Sequence, residues 1–162
     1  NRNYGWPNVN GFCDGFSEQL FCQQNNVIEP LQAWTPTIAP SDIIWYDHPS
    51  IPEFQNSLLM TVLKEEMIVQ FKFSPDGYDL LETLEFFVSY HPDTGNYNGG
   101  EWGRLRDICV SPNGKIYLAT NGYQWPSQGP NEIIELSNPN YDYTTSIKET
   151  NMSKNIIYSI DL

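Results

Sequence analysis

The clearest indication of the fold is the stretch Glu101–Asn121, EWGRLRDICVSPNGKIYLATN. Its runs Ile108–Val110 and Ile116–Thr120 are rich in the β-branched and aromatic residues that favour strands. The Ser-Pro-Asn-Gly sequence between them has the composition of a tight turn. The stretch therefore predicts a β-hairpin. Cys109, in the first apolar run, is expected to be a buried free thiol.

Two arginines, Arg104 and Arg106, stand at the entrance of this hairpin. Residues i and i+2 of a regular strand project to one side, so these two guanidinium groups could bind one anionic ligand, with Asp107 facing the other way. A surface ion pair with a neighbouring carboxylate is the commoner explanation of such arginines when spacing alone is considered.

A second Ser-Pro-Asx-Gly sequence at Ser74–Gly77 precedes Ser111–Gly114 by 111 − 74 = 37 residues. A strand–turn–strand unit that recurs at about 40 residues is typical of β-propeller blades. The chain is therefore predicted to be all-β and to form about two blades, which need further blades to close a ring. The other predicted strands are Ile43–Tyr46, Ser57–Leu63, Met67–Phe73 (half-buried), Leu80–Val88, Glu132–Leu136 and Asn155–Ile160. Lys64 is placed at the tip of a hairpin.

The composition excludes several classes of function. The formal net charge of −12, from 20 acidic and 8 basic residues, argues against nucleic acid as a partner. No apolar run approaches the roughly 20 residues of a membrane span. Three cysteines without a CxxC pair make a poor metal set. Cys13 and Cys22 can form a disulfide, which would indicate an oxidising compartment, periplasmic or extracellular.

The two ends of the chain carry little periodicity. Residues 1–33 are predicted to be a long ordered loop in which the rings of Tyr4 and Trp6 pack beneath neighbouring strands. Residues 138–162 are interpreted as a linker and the start of a further β-element or sorting module. The absence of an initiator Met leads us to expect a piece of a longer protein.

Four motifs occur in one order: Asn3-Tyr4-Gly5-Trp6-Pro7, Trp34-x-x-Thr37-x-Ala39-Pro40-Ser41, Leu58–Lys64, and Arg104-Leu105-Arg106-Asp107 with Ser111–Gly114. In this order they resemble the C-terminal part of the soluble pyrroloquinoline-quinone-dependent glucose/sorbosone (aldose sugar) dehydrogenases. Those enzymes are six-bladed propellers that use the quinone and calcium. The resemblance covers about residues 1–137.

The resemblance implies a role for each matching residue. Arg104 and Arg106 would grip the quinone, Lys64 would contact it from the preceding blade, and Thr37 would bond one of its carboxylates. Trp34 is then a candidate wall of the sugar pocket, although a core or rim aromatic is an equal alternative.

The resemblance also implies what lies elsewhere. The general base and the calcium ligands of these enzymes fall outside this chain. His48 and His91 each precede a proline in a loop, as suits a solvated surface residue, and neither is offered as the base. The sequence Gln128–Asn131 echoes the calcium loop but is interpreted as repeat symmetry. The leading hypothesis is therefore part of an enzyme that oxidises an aldose at its anomeric carbon, with the remaining blades and an electron acceptor as partners. A non-catalytic propeller that binds a protein or glycan, and a structural subunit of a secreted or surface assembly, are the alternatives.

Overall fold

A computed structural model describes residues 2–88, 102–123, 126, 129 and 131–143, and the backbone of 158–160. By its internal contacts the chain forms two units, Asn1–Thr37 and Ile38–Leu162. The predicted loop 89–100, which includes His91, and the residues Gln128 and Pro130 of Gln128–Asn131 lie outside the described residues.

The first unit contains one helix, α1 (Phe16–Asn25), where the sequence predicted only a loop. The Glu18 carboxylate accepts the backbone N–H of Gly15 at 3.1 Å and so caps the first turn. A disulfide joins Cys13 to Cys22 across this turn. None of the helical side chains is buried, so the sequence of this helix lacks the amphipathic pattern by which a helix is usually predicted.

The expectation that the rings of Tyr4 and Trp6 are packed is wrong for the described chain, because 56% and 79% of these residues are exposed. Gly5, at φ +85°, turns the chain between them, and its carbonyl accepts the N–H groups of Asn8 and Val9. Val9 is the buried apolar side chain of this turn. This turn leaves the two rings exposed.

The second unit begins with a four-stranded antiparallel sheet in the order β1–β2–β3–β4. Its strands are β1 (Pro40–Tyr46), β2 (Ser57–Val62), β3 (Ile68–Phe73) and β4 (Leu80–Phe86). All four follow predicted strands, and Lys64 lies in the β2–β3 hairpin tip as expected. The residues of β3 from Ile68 to Phe71 are all buried, however, so this strand is covered on both faces rather than half-buried.

The second sheet contains β5 (Leu105–Val110), β6 (Ile116–Thr120) and β7 (Ile133–Leu136), which pair antiparallel. The predicted hairpin is β5–β6. A fourth strand, β8 (Tyr158–Ile160), pairs parallel to β7 and lies within the predicted strand Asn155–Ile160, whose first three residues are outside the described part. Two sheets of this kind agree with part of a propeller.

The main hydrophobic core lies between the two sheets. The first sheet and the loop after β1 contribute one half of it, and β5, β6 and β7 contribute the other. Its fully buried members include Tyr46, Ile51, Phe54, Leu59, Ile68, Leu105, Ile116, Leu118 and Leu136. Because these side chains come from both sheets, removing apolar surface from water fixes one sheet against the other.

The two Ser-Pro-Asx-Gly turns have similar hydrogen bonds but different places in the sheets. In each, the glycine N–H donates to the serine carbonyl, at 2.8 Å for Gly77 and 2.9 Å for Gly114. The first turn joins β3 to β4, the third and fourth strands of its sheet, whereas the second joins β5 to β6, the first and second. The 37-residue spacing is therefore not the blade repeat. The starts of the two sheets, Pro40 and Leu105, are 105 − 40 = 65 residues apart.

Cys109 is exposed, contrary to the expectation of a buried thiol. Leu105 and Ile108 are the buried residues of β5, and Cys109 follows Ile108 on the opposite face. Among the described residues, no helix is long and apolar enough to cross a membrane.

Candidate functional site

Arg104 lies at the point where the chain enters β5, and its backbone is fixed by pairing with the end of β6. Its N–H donates to the carbonyl of Gly122, and its carbonyl accepts the N–H of Asn121, both at 2.9 Å. Its side chain is half-buried, and the Nη1 atom is shielded from solvent without a hydrogen-bond partner in the described part of the chain. A buried guanidinium nitrogen that no described group satisfies is unusual in a folded protein.

Arg106 occupies a β-bulge. The register passes from Leu105 opposite Thr120 to Asp107 opposite Ala119, so one extra residue stands on β5. A regular strand with Leu105 buried would expose Arg106 and bury Asp107, but both are exposed. The prediction that Arg104 and Arg106 share one side assumed regular alternation, and the bulge removes that basis.

Neither arginine forms an ion pair with any residue that the structure describes. The surface ion pair that the spacing suggested is therefore not formed in this part of the chain, although the charge of Arg106 acts on the neighbouring Asp107. An arginine with unused donors remains available to an anion.

Ser41, at the start of β1, links the arginine segment to the first sheet. Its Oγ lies 2.8 Å from the Leu105 carbonyl oxygen, 2.9 Å from Thr61 Oγ1 and 3.1 Å from the Thr61 carbonyl oxygen. Thr61 belongs to β2 and is three residues before Lys64. The backbones of Arg104 and Lys64 are thus brought to neighbouring ends of the two sheets.

Asp42 and Asp107 form a hydrogen-bonded carboxyl pair beside this contact. The hydrogen bond from Asp107 lowers the pKa of Asp42, and the same bond raises the pKa of Asp107. The N–H of Ile108 donates to Asp42 Oδ2 at 3.1 Å and to Asp107 Oδ1 at 3.0 Å. The nearby charge of Arg106 lowers the pKa of Asp107, but by less than Asp42 raises it.

Lys64 has an exposed side chain whose Nζ lies 3.4 Å from Glu65 Oε1. Its backbone N–H donates to the carbonyl of Ile38 at 3.1 Å, which extends the pairing of the first sheet beyond β2. The contact with Glu65 is a solvent-exposed ion pair and is therefore weak. The ammonium group of Lys64 is accessible to a ligand anion.

Trp34 and Thr37 belong to the first unit. Trp34 is half-buried and lines a groove of about 410 Å³ whose other walls include Tyr4, Trp6 and the amide side chains of Asn10 and Gln32. Thr37 is exposed. Aromatic faces beside amide groups are suited to flat polar ligands such as sugars.

No group of three or more His, Cys, Asp or Glu side chains that could hold a metal ion occurs among the described residues. His48 is half-buried, with its Nδ1 2.9 Å from Ser50 Oγ and its ring 5.7 Å from that of Tyr141. It is therefore a packed residue of the loop after β1 rather than the solvated one that its position before a proline suggested.

Asp42 and Thr61 received no role from the sequence patterns, and Ser41 entered only as part of a motif. Each forms a contact between residues that are at least 19 positions apart, and two of these contacts cross from β1 to β5. Only the quoted Ala39-Pro40-Ser41 motif could have drawn attention to Ser41. Asp42 stood out in no pattern.

The comparisons with known proteins agree with the architecture. The sequence profile of the Glucose / Sorbosone dehydrogenase family matches residues 1–125. An uncharacterized protein of Synechocystis is 28% identical over 123 residues, which are 74% of this chain and 26% of that protein.

Two solved structures share the fold at a TM-score of 0.55. The PQQ-bound aldose sugar dehydrogenase of Streptomyces coelicolor is 21% identical, with 83% of this chain and 33% of that chain covered. A putative oxidoreductase (glucose dehydrogenase) of Thermus thermophilus is 19% identical, with 82% and 32% covered. This chain thus spans about a quarter to a third of the length of these relatives. Since the profile covers most of the sequence, the chain belongs to the glucose/sorbosone dehydrogenase family.

Proposed function

We propose that the protein with this chain is a quinone-dependent aldose dehydrogenase, and that Arg104, Arg106 and Lys64 are the cationic part of its cofactor site. The observation that carries the proposal is the Nη1 atom of Arg104, which is buried without a partner in the described residues. A native protein rarely leaves such a donor unsatisfied, so a ligand that accepts its hydrogen bond is the simplest explanation.

The donor set suits pyrroloquinoline quinone, a planar tricarboxylate. Guanidinium groups bind carboxylates through two parallel hydrogen bonds, and an ammonium group adds a point charge. The formal net charge of the chain is −12, so cations near its surface are scarce. Three of the eight basic residues occur in the motifs shared with the family, at neighbouring ends of two sheets.

When bound, the quinone supplies a hydride acceptor for the anomeric carbon of the sugar. Arg104 would hold a cofactor carboxylate or carbonyl oxygen at a partly desolvated position, where its charge acts more strongly than in water. Arg106 and Lys64, which are exposed, would add attraction with less geometric control. Their positive charge would favour the reduced, more negative form of the ligand.

Trp34 is proposed as a wall of the sugar site, because its groove combines three aromatic rings with two amide side chains. Thr37 is proposed as a hydroxyl donor to a cofactor carboxylate. Calcium is proposed as a second cofactor, with ligands contributed from outside this chain. A periplasmic or extracellular location, with the Cys13–Cys22 disulfide, is part of the same proposal.

The test is a spectroscopic titration of the intact protein with pyrroloquinoline quinone and Ca²⁺, followed by assays of aldoses with an artificial electron acceptor. We expect Arg104→Gln to weaken quinone binding roughly 10- to 100-fold, the value of one charge-assisted hydrogen bond. Lys72→Gln is the matched control, because Lys72 is also a cation but pairs with Glu82 of β4 at 2.9 Å. Equal binding by the Arg104 variant and the wild type would contradict the assignment, and absence of quinone binding by the wild type would contradict the function.

A further inference from the structure

We propose that Ser41 and Asp42 are positioning residues that hold the bulged entrance of β5, and thereby orient Arg104 and Arg106 toward their ligand. The inference rests on the proposed function for the identity of that ligand. The positioning of the bulged segment by Ser41 and Asp42 depends only on contacts within the second unit.

The two residues bind β5 on either side of the bulge. Ser41 Oγ is 2.8 Å from the carbonyl oxygen of Leu105, and Asp42 Oδ2 accepts the N–H of Ile108 at 3.1 Å. Arg106 lies between these points. Because a bulge leaves its extra residue without a partner in the sheet, the usual ladder of β5 and β6 does not fix this position.

Ser41 is itself anchored. Thr61 Oγ1 lies 2.9 Å from Ser41 Oγ, and one arrangement satisfies both hydroxyls: Thr61 donates to Ser41, and Ser41 donates to the Leu105 carbonyl. Thr61 and Leu105 are both fully buried. Two hydroxyl groups that are hydrogen-bonded to each other and to backbone carbonyls have little freedom, so a shift of β2 would be passed on to β5.

The position of Leu105 matters for both arginines. Arg104 immediately precedes it and Arg106 immediately follows it, so a shift of its carbonyl group displaces both side chains. Arg104 has a second backbone anchor at Gly122, whereas Arg106 is skipped in the register that pairs β5 with β6. Loss of the Ser41 contact is therefore expected to loosen Arg106 more than Arg104.

The chain offers a matched control at the other end of the same sheet contact. Tyr46 Oη donates to the carbonyl oxygen of Gly114 at 2.7 Å, which also joins β1 to the β5–β6 hairpin but far from the arginines. Tyr46→Phe and Ser41→Ala each remove one hydroxyl that joins the sheets. A merely structural role would make the two variants equivalent in ligand binding.

The experiment compares Ser41→Ala, Ser41→Thr and Tyr46→Phe in the intact protein. Amide hydrogen exchange without ligand should be faster over residues 104–108 in Ser41→Ala, and unchanged there in Tyr46→Phe. Titration with pyrroloquinoline quinone should show affinity reduced by up to about tenfold in Ser41→Ala, with recovery in Ser41→Thr. Asp42→Asn, which keeps an acceptor for the Ile108 N–H, should bind better than Asp42→Ala.

The outcomes separate this inference from the proposed function. Unchanged exchange over residues 104–108 in Ser41→Ala, or an equal loss of affinity in Tyr46→Phe, would overturn the positioning role even if the wild type binds quinone. Failure of the wild type to bind quinone would overturn the proposed function, and with it the cofactor role of Arg104 and Arg106.

Discussion

Gly114 and Gly77 occupy the same place in two Ser-Pro-Asx-Gly turns, yet replacing them by alanine should have very different costs. Both have positive φ, +86° and +78°. A Cβ atom at Gly77 would meet nothing within 4 Å, whereas one at Gly114 would overlap the ring of His48 and the hydroxyl of Ser50. The turns are alike in sequence, but only the second is packed against another sheet.

The magnitude follows from these surroundings. The left-handed backbone costs alanine about 1–2 kcal/mol at either position. At Gly114 the His48–Ser50 loop must also move, and overpacking of this kind costs about 1–3 kcal/mol. The Gly114 carbonyl accepts hydrogen bonds from Tyr46 Oη at 2.7 Å and Ser50 Oγ at 3.0 Å, each about 0.5–1.5 kcal/mol if lost. We therefore expect Gly114→Ala to cost about 2 kcal/mol more than Gly77→Ala at the low end of these ranges, and up to about 6 kcal/mol more if both hydrogen bonds are lost.

The assay is urea unfolding of both variants and the wild type, with the free energy of unfolding obtained by linear extrapolation. Hydrogen exchange in the His48–Ser50 loop would show whether the loop is displaced, as the overlap requires. Equal free energies of unfolding for the two variants would refute the reasoning, because the backbone contribution is common to both.

Two further predictions concern charges. Lys115→Met should lower the free energy of unfolding in urea by about 1–3 kcal/mol, because it leaves the mostly buried carboxylate of Glu135 without its 2.9 Å ion pair. Lys72→Met removes an exposed ion pair and should cost less than about 1 kcal/mol. Similar losses for the two variants would contradict this. Asp107→Asn should raise the thermal midpoint at pH 7 relative to the wild type, because the raised pKa of Asp107 means that its stabilising protonated form is lost as pH rises through that pKa. The gain in thermal midpoint should be smaller at a pH below the pKa of Asp107, where the wild-type side chain is protonated. An equal gain at pH 7 and at that lower pH would disprove the explanation by the raised pKa of Asp107.

Much of the local structure was predictable because it depends on short-range chemistry. Each of the predicted strands that falls wholly within the described residues is present, and the β5–β6 hairpin follows from apolar runs on either side of a turn. The helix α1 was missed for a related reason. It is secured by the Glu18 cap and the Cys13–Cys22 disulfide, and it buries none of its side chains, so hydrophobic periodicity could not reveal it.

The candidate site was predictable as residue types but not as geometry. The motifs alone drew attention to Arg104, Arg106 and Lys64. The bulge at Arg106 was not visible, because a one-residue irregularity leaves no mark in the alternation of a six-residue strand. Asp42 was missed since its partner Ile108 is 66 residues away.

The amino-acid sequence by itself determined that the chain is mainly β, where most of its strands and turns lie, and that three of its eight basic residues fall within motifs shared with a sugar dehydrogenase family. Those properties are set by local propensity and by covalent order. Only the tertiary structure decided that the two Ser-Pro-Asx-Gly turns are not equivalent, that Gln70 and the rest of β3 from Ile68 to Phe71 are buried on both faces, and that Ser41 and Asp42 meet the arginine segment. Each of these depends on which surfaces the two sheets bury against their surroundings, and burial is a property of the packed chain rather than of any one stretch.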